Sequence, residues 1–270
     1  MKNRIVVMLG ILMCIAICGI CTINLDSTKD MISKVVSSST LSNTKIGWGV
    51  KREENHLQPD LGAKNMKILE EGEGIAIGNK DKKYVYLTFD EGYEAGYTKQ
   101  ILETLKNNQV PATFFITAHY LNTQVDLVKQ MVSDGHIVGN HTVNHKSMPD
   151  LTDEKIREEV MTLHTAIYEK TGYEMKYIRP PMGEFSQRTL EITKNLGYTN
   201  VMWSLAYDDW DENKQGREDY AKQKIIDNIH PGAIILLHGN SKDNANVLDY
   251  CIKEIRNMGY EFKSLDEFEK

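Results

Sequence analysis

From Tyr84 onward, short runs of β-branched and aromatic residues alternate with amphipathic helical patterns, which restricts this stretch to βα units on a parallel sheet. Strands are expected at 84–89, 112–117, 136–139, 177–178, 198–203 and 233–237, with an edge strand at 260–262. Helices are expected at 97–108, 125–133, 152–170, 186–196, 217–229 and 245–258. In the first of these Ile101, Leu102 and Leu105 recur at helical spacing, and Thr152 caps the third ahead of two acids. No internal repeat is visible. At 270 residues with 41% hydrophobic content the chain can bury one large core, and an α/β barrel of this size is normally one domain.

The N-terminus reads differently. Lys2 and Arg4 precede an uncharged apolar run, 5–23, long enough to span a bilayer as a helix of roughly 20 residues. Residues 1–25 are therefore expected to be a signal peptide or signal-anchor helix, with the anchor somewhat favoured because no small-x-small cleavage site precedes Asn24. The remainder is exported, either held at the membrane or secreted after cleavage. Residues 26–45, rich in Ser, Thr, Lys and Asn, read as a flexible linker, 46–81 as an irregular extension packed on the barrel, and 82–270 as the barrel domain itself. Three of four cysteines (Cys14, Cys18, Cys21) lie in the apolar run, so Cys251 has no intradomain disulfide partner and reads as a packed helix residue. A net charge of -6 without clustered Lys or Arg excludes a nucleic-acid surface.

Most of the notable polar residues fall just after a strand, and in a parallel barrel those ends converge on one face. Asp90 and Glu91 end the first strand before Gly92, where their side chains diverge, so that one can hold a proton while the other faces a metal. His141-Thr-Val-Asn-His145 places two imidazoles four residues apart, on one face if this is a helical turn. Glu91 is the nearest candidate in kind for the third donor that a metal needs. Arg179-Pro-Pro-Met-Gly183 forms a rigid loop that can present an amide N–H to an oxyanion, and Arg179 can hold a carboxylate such as Asp90 ionised; taken alone, the segment is a turn with a surface arginine. Asp208-Asp209-Trp210 follows a strand, and His238 closes the last long apolar run, where a nearby Asp can keep it protonated. The Lys and Glu of 152–170 read as a solvated helix face.

At these residues the chain resembles the polysaccharide deacetylase family with a NodB-homology domain, carbohydrate esterase family 4, over roughly residues 82–265. Five ordered motifs carry the resemblance: Thr88-Phe-Asp90-Glu91, His141 to His145, Arg179 to Gly183, Asp209-Trp210 and Leu236-Leu-His238. It implies a distorted (β/α) barrel. It further implies Asp90 as general base, His238 as general acid tuned by Asp209, and Arg179 orienting Asp90. A divalent metal ion, usually zinc, would sit on His141 and His145, with Glu91 in the position of the family's metal-binding Asp. Trp210 and Leu236 would line the slot for the acetyl methyl, and the Met182 N–H would help bind the oxyanion. Glu91 is one methylene longer than the family's Asp, and Ala206 stands where the fourth motif often has another acid.

These departures, with Phe-Asp-Glu-Gly-Tyr-Glu94, Trp203-Ser-Leu-Ala-Tyr, Trp48 and the segment 55–59, are similar to a narrower branch. Its members de-N-acetylate N-acetylmuramic acid in spore-cortex peptidoglycan and lead to muramic δ-lactam. The implied partner is a peptidoglycan glycan strand. Deacetylation of N-acetylglucosamine polymers or of acetylated polysaccharide esters is the alternative chemistry, and a catalytically silent glycan-binding protein the alternative of another class.

Overall fold

The computed structural model describes residues 41–270. The apolar run 5–23, most of the expected linker and three of the cysteines lie outside the described residues. Among the described residues no helix is long and apolar enough to cross a membrane.

The central strand β2 (Tyr84–Glu91) is flanked by β3 (Ala112–Ile116) and β8 (Ala233–His238), both parallel to it. Beyond β3 come β4 (Ile137–Asn140), β5 (Tyr177–Ile178) and β7 (Thr199–Asn200), while β9 (Glu261–Phe262) pairs in parallel with the start of β2. The sheet curls strongly. Past β7 the chain reaches the opposite edge, where Ser204 and Leu205 donate backbone hydrogen bonds to Ile234 at 3.0 and 3.2 Å, and Leu236 donates to Leu205 at 2.8 Å.

Strand parity divides the side chains into two sets, because successive residues point to opposite faces. Val85, Leu87 and Phe89 join the large core under the helices, with Ile101, Leu102 and Leu105 of α2 (Thr98–Asn108) and Val247, Leu248 and Ile252 of α8 (Lys242–Asn257). Tyr86, on the other parity, packs with Phe115, Ile137, Val201 and Ile234 on the concave face. Asp90 shares the parity of Tyr86, whereas Glu91 shares that of Phe89. This one-residue difference decides which acid can meet a substrate.

The remaining helices follow the expected pattern within a few residues: α4 (Val125–Ser133), α5 (Asp153–Thr171), α6 (Gln187–Asn195) and α7 (Glu218–Ile226). Thr152 caps α5 through Lys155 N. Two helices were not expected. The first is α1 (Ala63–Glu71), which starts after Gly62 without a side-chain cap, so the sequence carried no start signal; the other is the six-residue α3 (Ala118–Thr123). The extension containing α1 also supplies β1 (Ile46–Gly47), antiparallel to β6 (Glu184–Phe185), and buries Leu61, Leu69 and Ala76 against Phe185, Leu190 and Met202. Of the expected linker, Asn43 and Lys45 bond to Pro149 O at 2.9 Å and Asp150 at 2.6 Å. Cys251 is buried in α8, where burial pushes its thiol up to about 12, so it is inert.

Candidate active site

Asp90 and His238 are register partners on adjacent parallel strands, so their side chains project from the same face at the strands' C-terminal ends. A cavity of about 1090 Å³ opens over them. Beneath Asp90 lies Arg179, fully buried just past β5. Its guanidinium donates to Asp90 Oδ1 at 2.7 Å, to Thr88 Oγ1 at 2.8 Å and to the Val201 carbonyl at 3.1 Å, and stacks 4.3 Å from the Phe115 ring centroid. Far from being a surface turn residue, it occupies the concave core. Burial pushes the Asp90 carboxyl up, but the charges of Arg179, His141 and His238 outweigh it and hold the pKa below the usual range. Asp90 is ionised, with Oδ1 occupied by arginine and Oδ2 turned to the cavity.

His141 and His145 both line the cavity, with ring centroids 4.6 Å apart. They do not sit on a helical turn as expected: Thr142 (φ 66°) and His145 (φ 54°) take left-handed backbone conformations that break any helix. Side chains hold the loop instead. Asn140 Oδ1 accepts from Thr142 N at 2.9 Å, and Glu159 accepts from Asn144 N at 2.7 Å and from its side-chain amide at 2.6 Å. Glu159 is thus a buried anchor on α5, not part of a solvated helix face. A carbonyl can only accept, so His141 Nδ1, 2.9 Å from Arg179 O, carries the proton. Nε2 then faces Asp90 Oδ2, 3.5 Å away. Burial, set against the charge of Asp90, lowers His141 to about 4, and burial also lowers His145. Both rings are neutral and able to ligate a cation.

Glu91 does not join them. Its carboxyl is fully buried on the helix-facing parity of β2, is absent from the cavity wall, and has no hydrogen-bond partner among the described residues. Gly239 makes room for it, since a Cβ there would collide with both Glu91 oxygens. Burial first, then the neighbouring charges of Glu94 and Asp90, raise its pKa well above the usual range, which favours the neutral acid. No group of three or more His, Cys, Asp and Glu side chains is positioned to hold a metal among the described residues. The expected His141, His145 and Glu91 donor set is therefore not assembled, because the strand pleat turns Glu91 away. Glu91→Gln, neutral and nearly isosteric, is expected to keep kcat/KM within about threefold. A larger loss, recovered by added zinc, would restore Glu91 as a ligand.

His238 is fixed from behind by Asp209, which is 2% exposed. Asp209 accepts from His238 Nδ1 at 2.8 Å, from the His238 backbone N–H at 2.7 Å and from Asn244 Nδ2 at 2.6 Å. Burial lowers the imidazole pKa, but the charge and hydrogen bond of Asp209, aided by Asp90, overcome it and raise the value above 6.5. Leu236, buried on the concave parity of β8, and Trp210, 59% exposed, both line the cavity wall. Met182 lines the same wall with a left-handed backbone (φ 58°), next to Gly183, where any Cβ would meet the Trp203 ring. Glu159 and Asn244 support these groups without a sequence signal that singled them out, and Thr88, quoted only as part of the first motif, does so through Arg179.

With this geometry in place, the likeness to known proteins is informative. The family model for polysaccharide deacetylase matches residues 77–201. The peptidoglycan-N-acetylmuramic acid deacetylase PdaA of Bacillus subtilis is 42% identical over 86% of this chain and 90% of its own length. The solved structure of that family 4 carbohydrate esterase superposes with a TM-score of 0.82 over 84% of this chain and 98% of that one. A family 4 carbohydrate esterase from Bacillus anthracis is 44% identical and gives 0.72 over 84% and 97%. The chain belongs to the polysaccharide deacetylase family, carbohydrate esterase family 4, and its curled sheet is of the NodB type.

Proposed function

We propose that this protein hydrolyses the N-acetyl group of N-acetylmuramic acid residues in peptidoglycan, leaving an amine and acetate. The reading is carried by one arrangement: a carboxylate held by a buried arginine and an imidazole held by a buried aspartate, set side by side by strand register at the floor of a sugar-sized cavity. The similarity to PdaA of Bacillus subtilis, named for this substrate, supplies the sugar.

Asp90 Oδ2 takes a proton from water as the water attacks the amide carbonyl, while Arg179 keeps the carboxylate ionised and immobile. His238 Nε2, opposite the Asp209-bound Nδ1, gives a proton to the departing nitrogen. Trp210 and Leu236 hold the methyl group, and the Met182 N–H stabilises the oxyanion. Zinc, or another divalent ion as is usual in the family, would have His141 and His145 as its side-chain donors, without Glu91. It would supply polarisation of a bound oxygen.

The described fold serves as a distorted barrel built from residues 82–270, with 46–81 packed on it. Residues 1–25 export the chain and hold it at the membrane as an anchor or are cleaved, and 26–45 link them to the domain. The freed amine lies beside the lactyl carboxyl of the same sugar and closes to muramic δ-lactam, as in spore cortex.

The test is acetate release by the purified protein from peptide-stripped peptidoglycan and from N-acetylglucosamine oligomers, with and without chelator. Release from the stripped peptidoglycan is expected, and release from the oligomers alone would move the substrate to glucosamine. With two histidines and no third side-chain donor, chelation is expected to cost less than about tenfold. A complete loss, reversed by zinc, would show a ligand set that the resting fold does not display.

A further inference from the structure

We infer that Arg52, in the N-terminal extension, recognises the lactyl carboxylate that distinguishes muramic acid from glucosamine. The inference rests on the muramic acid reading. In that sugar the lactyl ether occupies the carbon next to the one bearing the acetamido group, so an enzyme that cuts the amide must also house an anion close by. The active-site cavity offers no Lys or Arg for it: the wall contains the carboxylates of Asp90 and Glu212, and its one imidazole favoured as a cation, His238, is engaged with the departing nitrogen.

A side bay of about 280 Å³ adjoins the cavity and shares Trp203, Ala206, Tyr207 and Trp210 with it. Its outer wall is the strip from Trp48 to Arg52. This strip is firmly seated, with Trp48 N donating to Gly183 O at 2.9 Å and the indole N–H to Trp203 O at 2.8 Å. Arg52 Nη2 donates to the Ala206 carbonyl at 2.8 Å, which places the guanidinium on a residue of both cavities.

No ion pair engages Arg52 among the described residues. The acid in the bay, Asp208, is already taken by Lys214 at 3.2 Å, Arg217 at 3.5 Å and the Tyr220 hydroxyl at 2.9 Å. Most of the guanidinium's five N–H donors remain free, in a planar fork that matches a carboxylate. Ala206 matters here too. Its methyl side chain brings no charge to the wall that the two cavities share.

The experiment compares wild type with Arg52→Gln on peptide-stripped peptidoglycan strands carrying free lactyl carboxyls, and on the same strands with those carboxyls converted to primary amides. Glutamine keeps a donor for the Ala206 carbonyl and the site is exposed, so the melting temperature should not change. On the free acid, Arg52→Gln is expected to raise KM about tenfold with kcat within about twofold. Wild type should lose about the same factor on the amide, where the variant loses nothing further. Equal losses by Arg52→Gln on both strands, or none on either, would overturn the assignment. Should wild type ignore muramic strands but cleave N-acetylglucosamine oligomers, the functional reading falls first and this inference with it.

Discussion

Asp90→Asn should purify as a folded protein that releases acetate about a thousandfold more slowly than wild type, with KM little changed. Asparagine preserves the Oδ1 acceptor for Arg179 but cannot take a proton from water, so the loss belongs to the chemical step. The substitution also carries a stability cost, because Arg179 is fully buried and would lose its counter-charge. Breaking a buried ion pair by removing one partner costs about 3 kcal/mol. Thr88, the Val201 carbonyl and the Phe115 ring still hold the guanidinium, so the fold survives. Denaturant unfolding and acetate kinetics on the same samples separate the two effects. An Asp90→Asn enzyme that keeps more than about a tenth of the wild-type kcat would remove Asp90 from the role of base.

How legible this site was depends on which residue is considered. The strand-terminal positions of Asp90, Arg179 and His238 follow from the βα alternation, since a parallel sheet delivers all such ends to one face. Their mutual registry does not follow: that Asp90 stands opposite His238 is decided by the pairing of β2 with β8, strands far apart in sequence. For Glu91, the strand's own period of two carried the answer. Val85, Leu87, Phe89 and Glu91 alternate with Tyr86, Thr88 and Asp90, and the first set packs under the helices. The motif resemblance pointed the other way, to a metal ligand, and the pleat overrides it. The histidine loop shows the opposite limit. Four-residue spacing suggests a helical turn, yet two left-handed residues and the distant Glu159 make it a loop, and neither leaves a local signal. The extension reads as irregular in sequence because it shows few regular periods, and α1 within it lacks a capping side chain. Arg52 acquires meaning only once Ala206 is seen beside it.

The pH profile offers the second large effect, because base and acid are held in opposite charge states by different neighbours. Activity needs Asp90 ionised and His238 protonated, so kcat/KM should fall on the basic side through the raised pKa of His238, above 6.5, and on the acid side only where His141, near 4, and then Asp90 take up protons. In Asp209→Asn the counter-charge that raises His238 is gone, and burial, which lowers the imidazole, prevails over the more distant Asp90. The basic limb is then expected to move below 6.5, opposite in direction to a simple loss of activity. The substituted amide also meets two donors, His238 N and Asn244 Nδ2, where the carboxylate oxygen accepted both, so the imidazole is less well placed. Together these effects should lower kcat at pH 8 by about a hundredfold or more, with a smaller deficit at pH 6. His238→Ala should abolish the basic limb while retaining a slow, pH-insensitive rate above the Asp90 transition. If Asp209→Asn instead kept the wild-type limb at reduced amplitude, the proton donor would be a group other than His238, and Asp209 would serve only to hold the strand end in place.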